Sequence, residues 1–217
     1  MRYALVLLLV LSCFGLKAQK IVDTEAKAIL EKISKKIESK KQLNADFTFT
    51  LAYPEIDPKE EQGKLLQNER GYFVSIGDND VISTGNGFYF IDKIDKRVQI
   101  NDALGDDATD LYNPVSLMAK YDSGEFEYAI VGEEKVNGNR CFMIEFKPVD
   151  RYSDLSKIRI AIDANKELPV YVKVFNKDAS RIHIGISDFI LLDEVRDEIG
   201  FNKGDYAGFE IEDLRID

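Results

Sequence analysis

Apolar and polar residues alternate in short runs through most of the chain after residue 44. Phe47, Phe49 and Leu51 fall on one face of an extended strand, and Asp46 and Thr48 fall on the other. Turn-forming Gly, Asn and Asp separate runs that recur at about ten-residue spacing, which is typical of an antiparallel meander that curls into a barrel or half-barrel. Strands are predicted at 45–51, 63–67, 71–76, 81–84, 87–91, 97–100, 125–131, 140–147, 157–162, 168–176 and 181–190.

A helix is predicted before the first strand. Asp23 or Thr24 can cap its free amides, and Glu25 lies in the first turn, where a negative charge is favoured. Apolar residues recur at three- and four-residue intervals from Val22 to Ile37 and form one stripe. Such a helix packs on the sheet, and it could also close the open side of a half-barrel.

A second, shorter helix is predicted where the strands are interrupted. Asn113 and Pro114 form a start signal, and Leu117 and Met118 lie on the apolar face of a segment that ends near Tyr121. A helix of this length is not stable alone, so it must lean on the sheet.

The first residues read as a secretory signal peptide. Arg2 supplies the positive charge, Ala4–Leu11 the apolar core, and Ala18 the small residue before the cleavage site. Cleavage after Ala18 would leave residues 19–217 as a single exported domain. The competing interpretation is a lipoprotein leader, in which Cys13 is lipidated.

Composition excludes some partners and leaves little obvious chemistry. A net charge of −10 in 217 residues argues against nucleic acid, because phosphate binding requires a basic surface. His183 is the only histidine, and no catalytic or zinc-binding motif surrounds it, so we expect a solvent-exposed residue on a strand. We expect Cys141 to be an unreactive structural thiol. The acidic residues Asp102, Asp106, Asp107 and Asp110 miss the spacing of a calcium loop. We therefore predict neither catalysis nor a metal or other cofactor.

Several marks, in order, resemble the LolA family of periplasmic lipoprotein carriers, in the form found in Bacteroidetes-type bacteria. They cover most of the chain after the leader: Ala18-Gln19, the helix 26–37, Ala45-Asp46-Phe47-Thr48-Phe49, Gly63-Lys64-Leu65, Gly71-Tyr72-Phe73, the hairpin 83–90, Asn113-Pro114-Val115-Ser116-Leu117-Met118, Phe146-Lys147-Pro148 and Glu212-Asp213-Leu214-Arg215.

The resemblance implies an α+β fold, mainly antiparallel β: an unclosed half-barrel with a helical lid over an apolar cavity. A carrier of this kind takes the acyl chains of lipoproteins from an inner-membrane transporter, crosses the periplasm as a monomer, and delivers them to an outer-membrane acceptor. The same cavity could serve an outer-membrane acceptor or a binder of another amphiphile. A different class would be a non-catalytic envelope sensor or interaction module.

Residue by residue, the resemblance assigns the cavity lining and a lid latch. The latch candidate is Arg70, for which the alternative is an ordinary turn arginine. The lining comprises Phe47, Phe49, Leu51, Tyr72, Phe88, Phe90, Leu117 and Met118. Either Phe88 or Tyr89 faces the cavity, because a one-residue slip in register exchanges the two faces of a strand.

Overall fold

The computed structural model describes residues 23–103, 113, 115–116 and 121–216. In chain order the elements are α1 (Thr24–Glu38), β1 (Gln42–Ala52), β2 (Lys59–Asn68), β3 (Gly71–Ile76), β4 (Asn79–Thr84), β5 (Gly87–Asp92), β6 (Arg97–Asn101), β7 (Phe126–Val136), β8 (Asn139–Pro148), β9 (Leu155–Asp163), β10 (Pro169–Asn176), β11 (Arg181–Leu192), a 3-10 turn (Lys203–Tyr206) and β12 (Glu210–Asp213).

All twelve strands belong to one sheet, in the order β12-β6-β5-β4-β3-β2-β1-β11-β10-β9-β8-β7. Every neighbouring pair is antiparallel except β12 with β6. The described strands leave β12 and β7 as two separate edges, so the sheet is unclosed. The predicted antiparallel half-barrel is confirmed.

One face of the sheet carries the main buried core. Side chains of α1 join side chains from strands as far apart as β4 and β7 in a single buried cluster, so the sheet curves round the helix and this face is concave. The helix contributes Ala26, Leu30 and Ile33, each 0% exposed, from the predicted stripe. Burial of this stripe is the main stabilisation expected for a helix of this length.

The start of α1 is fixed by Asp23. One of its carboxylate oxygens accepts the N–H groups of Glu25 and Ala26 at 2.9 and 3.3 Å, as predicted for an N-cap. The other oxygen accepts the N–H of Ile130 in β7 at 3.0 Å. The same residue therefore begins the helix and ties it to the sheet.

The C-terminal segment covers part of the opposite, convex face. After β11 the chain crosses the outer side of β3–β6 and adds β12 parallel to β6, an element the sequence pattern did not predict. Phe201 stacks on Tyr89 at 4.5 Å between ring centroids and on Tyr206 at 5.2 Å. Gln42, 1% exposed, accepts the amide N–H groups of Arg196 and Asp197 at 2.7 and 3.1 Å and so holds the start of the crossing.

A two-residue turn joins β7 to β8. Asn137 and Gly138 have φ angles of 51° and 84°, the left-handed pair that a two-residue turn between twisted strands needs.

The predicted second helix lies largely outside the described residues. Of its surroundings, Val115 is 2% exposed, and Tyr121 contacts Tyr128 of β7 edge to face. Asn113 donates a hydrogen bond from Nδ2 to Oε1 of Gln67 in β2 at 2.9 Å. These contacts place the described parts of 113–121 over the concave face.

Candidate ligand-binding site

The helix covers the concave face unevenly. Its start is bound to β7, and farther along Lys32 pairs with Glu167 while Lys36 donates to the carbonyl of Lys166, both in the β9–β10 turn. Beneath it most inward side chains of β7–β10 are buried. Tyr128 is 4% exposed, and Phe146 and Ile160 are 0% exposed, while Ile130 and Phe142 are half-buried. This half of the face is ordinary packed core.

The other half keeps large apolar side chains partly exposed. They come from β1, β3, β5 and β11 and point to the same concave side, as the pairings of Leu51 with Ile182 and of Val81 with Phe90 show. We call this surface the trough: Phe49, Leu51, Ile76, Phe88, Phe90 and Ile182. Six half-buried apolar side chains on one concave surface are unusual for a finished core, since cores exclude solvent.

The six predicted lining residues in the described ranges all lie on the concave face. Phe47 and Tyr72 are buried, with 1% and 8% exposure. Phe49, Leu51, Phe88 and Phe90 are half-buried members of the trough. The register also decides between Phe88 and Tyr89: Phe88 is concave, and Tyr89 is convex. Leu117 and Met118 lie outside the described residues.

A cavity of about 400 Å³ lies on the concave side where α1 ends. Ile37, Leu43 and Val115 supply its apolar wall. Its charged lining residues are of both signs: Lys40, Lys41, Glu38 and Glu69. This volume is within the range of ligand pockets, roughly 300–1,000 Å³. An apolar wall with charged residues at the mouth suits an amphiphile that has a polar head. The sequence pattern did not single out this cavity, because its lining comes from three separate segments.

Arg70 lies in the turn between β2 and β3 and is exposed. Its Nη1 is 3.7 Å from Oε1 of Glu198 in the C-terminal crossing. Both side chains are well solvated, and such pairs contribute about 0–1 kcal/mol. The contact therefore joins Arg70 to the convex crossing, and the latch role of Arg70 stays a prediction.

The remaining candidates for chemistry sit on the convex side. His183 is exposed beside Tyr171, with ring centroids 5.4 Å apart. Burial by its neighbours and the charge of Lys173 lower the pKa of His183. Cys141 is 0% exposed, and its burial raises the pKa of the thiol, so its reactive thiolate is disfavoured.

Within the described ranges, no three His, Cys, Asp or Glu side chains come close enough to hold a metal ion. Over the same part of the chain, no helix has the length and apolarity needed to cross a bilayer.

Comparisons with known proteins show similarity to solved structures. No protein-family model matches the sequence, and no curated protein matches it. An uncharacterised conserved protein from Thermus thermophilus has a similar structure, with a TM-score of 0.57 at 8% identity, covering 88% of this chain and 99% of that one.

Other solved structures match with lower scores. A domain assigned to outer membrane lipoprotein sorting, from Vibrio parahaemolyticus, has a TM-score of 0.42 at 12% identity over 82% of this chain and 94% of that one. A LolA superfamily protein from Nitrosomonas europaea has a TM-score of 0.38 at 11% identity over 82% of this chain and 98% of that one.

The fold is an unclosed, mainly antiparallel half-barrel: a single sheet curved round a helix that packs in its concave face. The resemblance to the LolA family seen in the sequence implied this arrangement. The concave face is the inner surface, so the trough and the cavity lie on the inside of the half-barrel.

Proposed function

We propose that the chain is an exported, non-catalytic carrier that binds the acyl chains of lipoproteins in the trough. The observation that carries this proposal is the uncovered half of the concave face, where six large apolar side chains remain partly exposed. Exposing such an apolar surface to water costs free energy, so we expect another apolar group to cover it at some stage. An alkyl chain is the simplest group that fits a long, featureless apolar surface.

The energetics suit a carrier. Each methylene that leaves water contributes about 0.8 kcal/mol, so an acyl chain in the trough is held firmly without any specific polar contact. The same non-directional force lets the chain move to another apolar environment of equal quality. Asn113 and Tyr121 contact Gln67 and Tyr128 over the concave face, and the helix predicted between them would cover a bound chain.

The proposal includes the route as well as the cargo. Cleavage after Ala18 would release the protein into the periplasm, where it would receive lipoproteins from an inner-membrane transporter and deliver them to an outer-membrane acceptor. Charged rim residues of the 400 Å³ cavity, Lys40 and Lys41, would lie near the polar head of the cargo.

A binding experiment with one matched pair of variants tests the trough. The purified protein should bind a fluorescent fatty acid, and a triacylated lipopeptide should displace that probe. Phe49→Glu should weaken binding more than tenfold, because a carboxylate would have to be buried against the alkyl chain. Thr48→Glu adds the same charge at the preceding residue of β1, on the convex side, and should leave affinity unchanged.

Thermal unfolding should first show that both variants are folded, with unfolding temperatures close to that of the parent. Equal probe affinity of a folded Phe49→Glu protein and the parent would remove the trough as the acyl site. Leu117→Glu tests the predicted lid in the same assay, and we expect a comparable loss of binding.

A further inference from the structure

Five cations gather on the convex face of four adjacent strands. We call them the basic strip: Lys147 in β8, Lys157 and Arg159 in β9, Lys173 in β10 and Arg181 in β11. They share one side of the sheet because they stand at alternate or directly paired positions of the register. A local concentration of positive charge is unexpected on a chain whose net charge is −10.

The register makes this arrangement costly. Arg159 of β9 stands directly opposite Lys173 of β10. Like charges in directly opposed positions destabilise a sheet. A sequence selected for stability alone would place opposite charges at such pairs.

Among the described residues, one carboxylate lies between the cations of the strip. Glu145, 9% exposed, accepts hydrogen bonds from Lys157 Nζ at 2.9 Å and from Arg159 Nη2 at 2.7 Å. Burial alone would raise the pKa of Glu145, but these two bonds outweigh it and lower the pKa. Glu127 on β7 stands directly opposite Lys147, and Lys147 Nζ also lies 3.7 Å from Glu145 Oε1, while Glu60 on β2 flanks the strip. The five cations outnumber these three carboxylates, so the net charge of the strip stays positive.

Aromatic rings hold several of the cations in place. Lys157 Nζ and Arg181 Cζ lie 5.3 and 5.8 Å from the centre of the Phe175 ring. Lys173 Nζ lies 4.4 Å from the centre of the Tyr171 ring. Cations fixed over rings lose less entropy when they bind an anion. Arg159 Nε is buried and has no hydrogen-bond acceptor in the described part of the chain.

An apolar tip stands beside the strip. The loop between β8 and β9 exposes Val149 by 49% and Tyr152 by 94%. Backbone hydrogen bonds keep this loop in place: Val149 N–H donates to Glu125 O at 2.8 Å, and Lys177 Nζ donates to Arg151 O at 2.7 Å. An anchored loop with an outward tyrosine, next to fixed cations, has the layout of a surface that meets lipid headgroups.

We propose that the basic strip and the Val149–Tyr152 tip dock the protein on a bilayer that contains anionic lipids. The cations would contact headgroup phosphates, and Tyr152 would sit at the headgroup level. The strands place this loop at the same end of the half-barrel as Leu51 and Ile182, at the end of the trough. Docking would thus bring that end of the trough next to the membrane, which deepens the proposed function and rests on it.

Vesicle flotation of the protein without cargo tests the surface. We expect binding to vesicles of phosphatidylethanolamine with 30% phosphatidylglycerol, weak binding to phosphatidylcholine vesicles, and loss of binding in high salt. Lys147→Glu with Arg181→Glu should weaken partitioning at least 30-fold, from about 1 kcal/mol for each of the two cations removed. Tyr152→Ser should weaken it without any change in charge.

The matched control is Lys64→Glu with Lys203→Glu. It changes the net charge equally on exposed lysines outside the strip, and it should leave partitioning within twofold of the parent. All variants should keep the parent's affinity for the fluorescent fatty acid, so failure at the membrane and failure at the trough give different results.

Three outcomes would overturn the proposal. The first is equal binding to phosphatidylcholine vesicles and to anionic vesicles. The second is a loss of binding in the control double variant equal to that in the strip double variant. The third is that the protein binds polyglutamate through the strip but does not bind vesicles. The last result would instead assign the surface to an acidic protein partner.

Discussion

Gly63 shows how a single side chain shapes the concave face. It stands opposite Phe47 in the β1–β2 pair, and the Phe47 ring lies across it. A Cβ atom at position 63 would be 2.2 Å from Cε2 of that ring. Phe47 is 1% exposed and has little room to move, so only glycine fits beneath it.

We therefore expect Gly63→Ala to lower the free energy of unfolding by about 1–3 kcal/mol, the usual cost of overpacking. Urea denaturation of the parent and the variant measures this. In a Phe47→Leu background the ring is gone and the same substitution should cost much less. Equal costs in both backgrounds would show that the Phe47 ring is not the reason for the glycine.

His183 offers a second test at the residue scale, because one histidine gives one set of imidazole signals. Its pKa should lie below the ordinary value of 6.5, first because of burial and second because of Lys173, with Glu60 acting in the opposite direction. Lys173→Met should raise the pKa, and Lys64→Met should not. Proton NMR of an untagged protein measures all three values.

The sign of the linked stability follows. The neutral imidazole is favoured in the folded state, so the contribution of His183 is complete above pH 6.5 and falls as the pH drops from 6.5 towards the lowered pKa. A folded-state pKa at or above 6.5 would contradict the described surroundings of the ring.

The alternation of polar and apolar residues predicts the sheet face of many single residues correctly. It fails where two adjacent residues are both apolar. Phe47, Phe49 and Leu51 follow polar residues, so their shared face was predictable. Phe88 and Tyr89 are both aromatic, and their faces depend on pairing partners and on Phe201, more than 100 residues away in the sequence. Such a contact leaves no local signal.

At the scale of elements, the start of α1 depends on its N-cap, Asp23. Asp23→Ala removes both the cap and the bond to Ile130, and it should lower the free energy of unfolding by about 1–2 kcal/mol. Asp23→Asn keeps an oxygen for the cap and should lose less. Thermal unfolding at pH 7 measures both changes.

The same carboxylate predicts a pH dependence. The bond from Ile130, with those from Ala26 and Glu25, lowers the pKa of Asp23 despite some opposing burial. Its contribution is therefore present above the ordinary value of 3.8 and is lost as the pH falls towards the lowered pKa. The difference between the parent and Asp23→Ala should shrink on acidification, and a constant difference would assign the loss to another cause.

The strands from β1 to β11 and α1 were predictable because their periodicity is local. The acidic strand β12 has no alternation strong enough to predict, and its partner β6 lies far back in the chain. The basic strip was also missed, because its cations come from four strands and become neighbours only through the register. Periodicity shows which face a residue takes, but it does not show which residues across the sheet stand beside it.

At the scale of the molecule, the two faces of one sheet are given different tasks in our proposals. The concave face would bind the acyl chains of the cargo, and the basic strip on the convex face would bind the membrane surface. The negative net charge elsewhere would repel an anionic bilayer, so the protein would approach it in one orientation.

The order of the strands has a further consequence, for assembly. Strands β2–β6 and β7–β11 each pair mainly with sequence neighbours, and the described residues join the two groups through β1 and β11, where Asn44 meets Ile190. Bringing together segments so distant in the chain carries a large entropy cost, so this pairing should form late. A newly exported polypeptide would then pass through a folding intermediate in which both groups of strands are formed but the concave interior is not. This intermediate would not bind a ligand until β1 and β11 had paired.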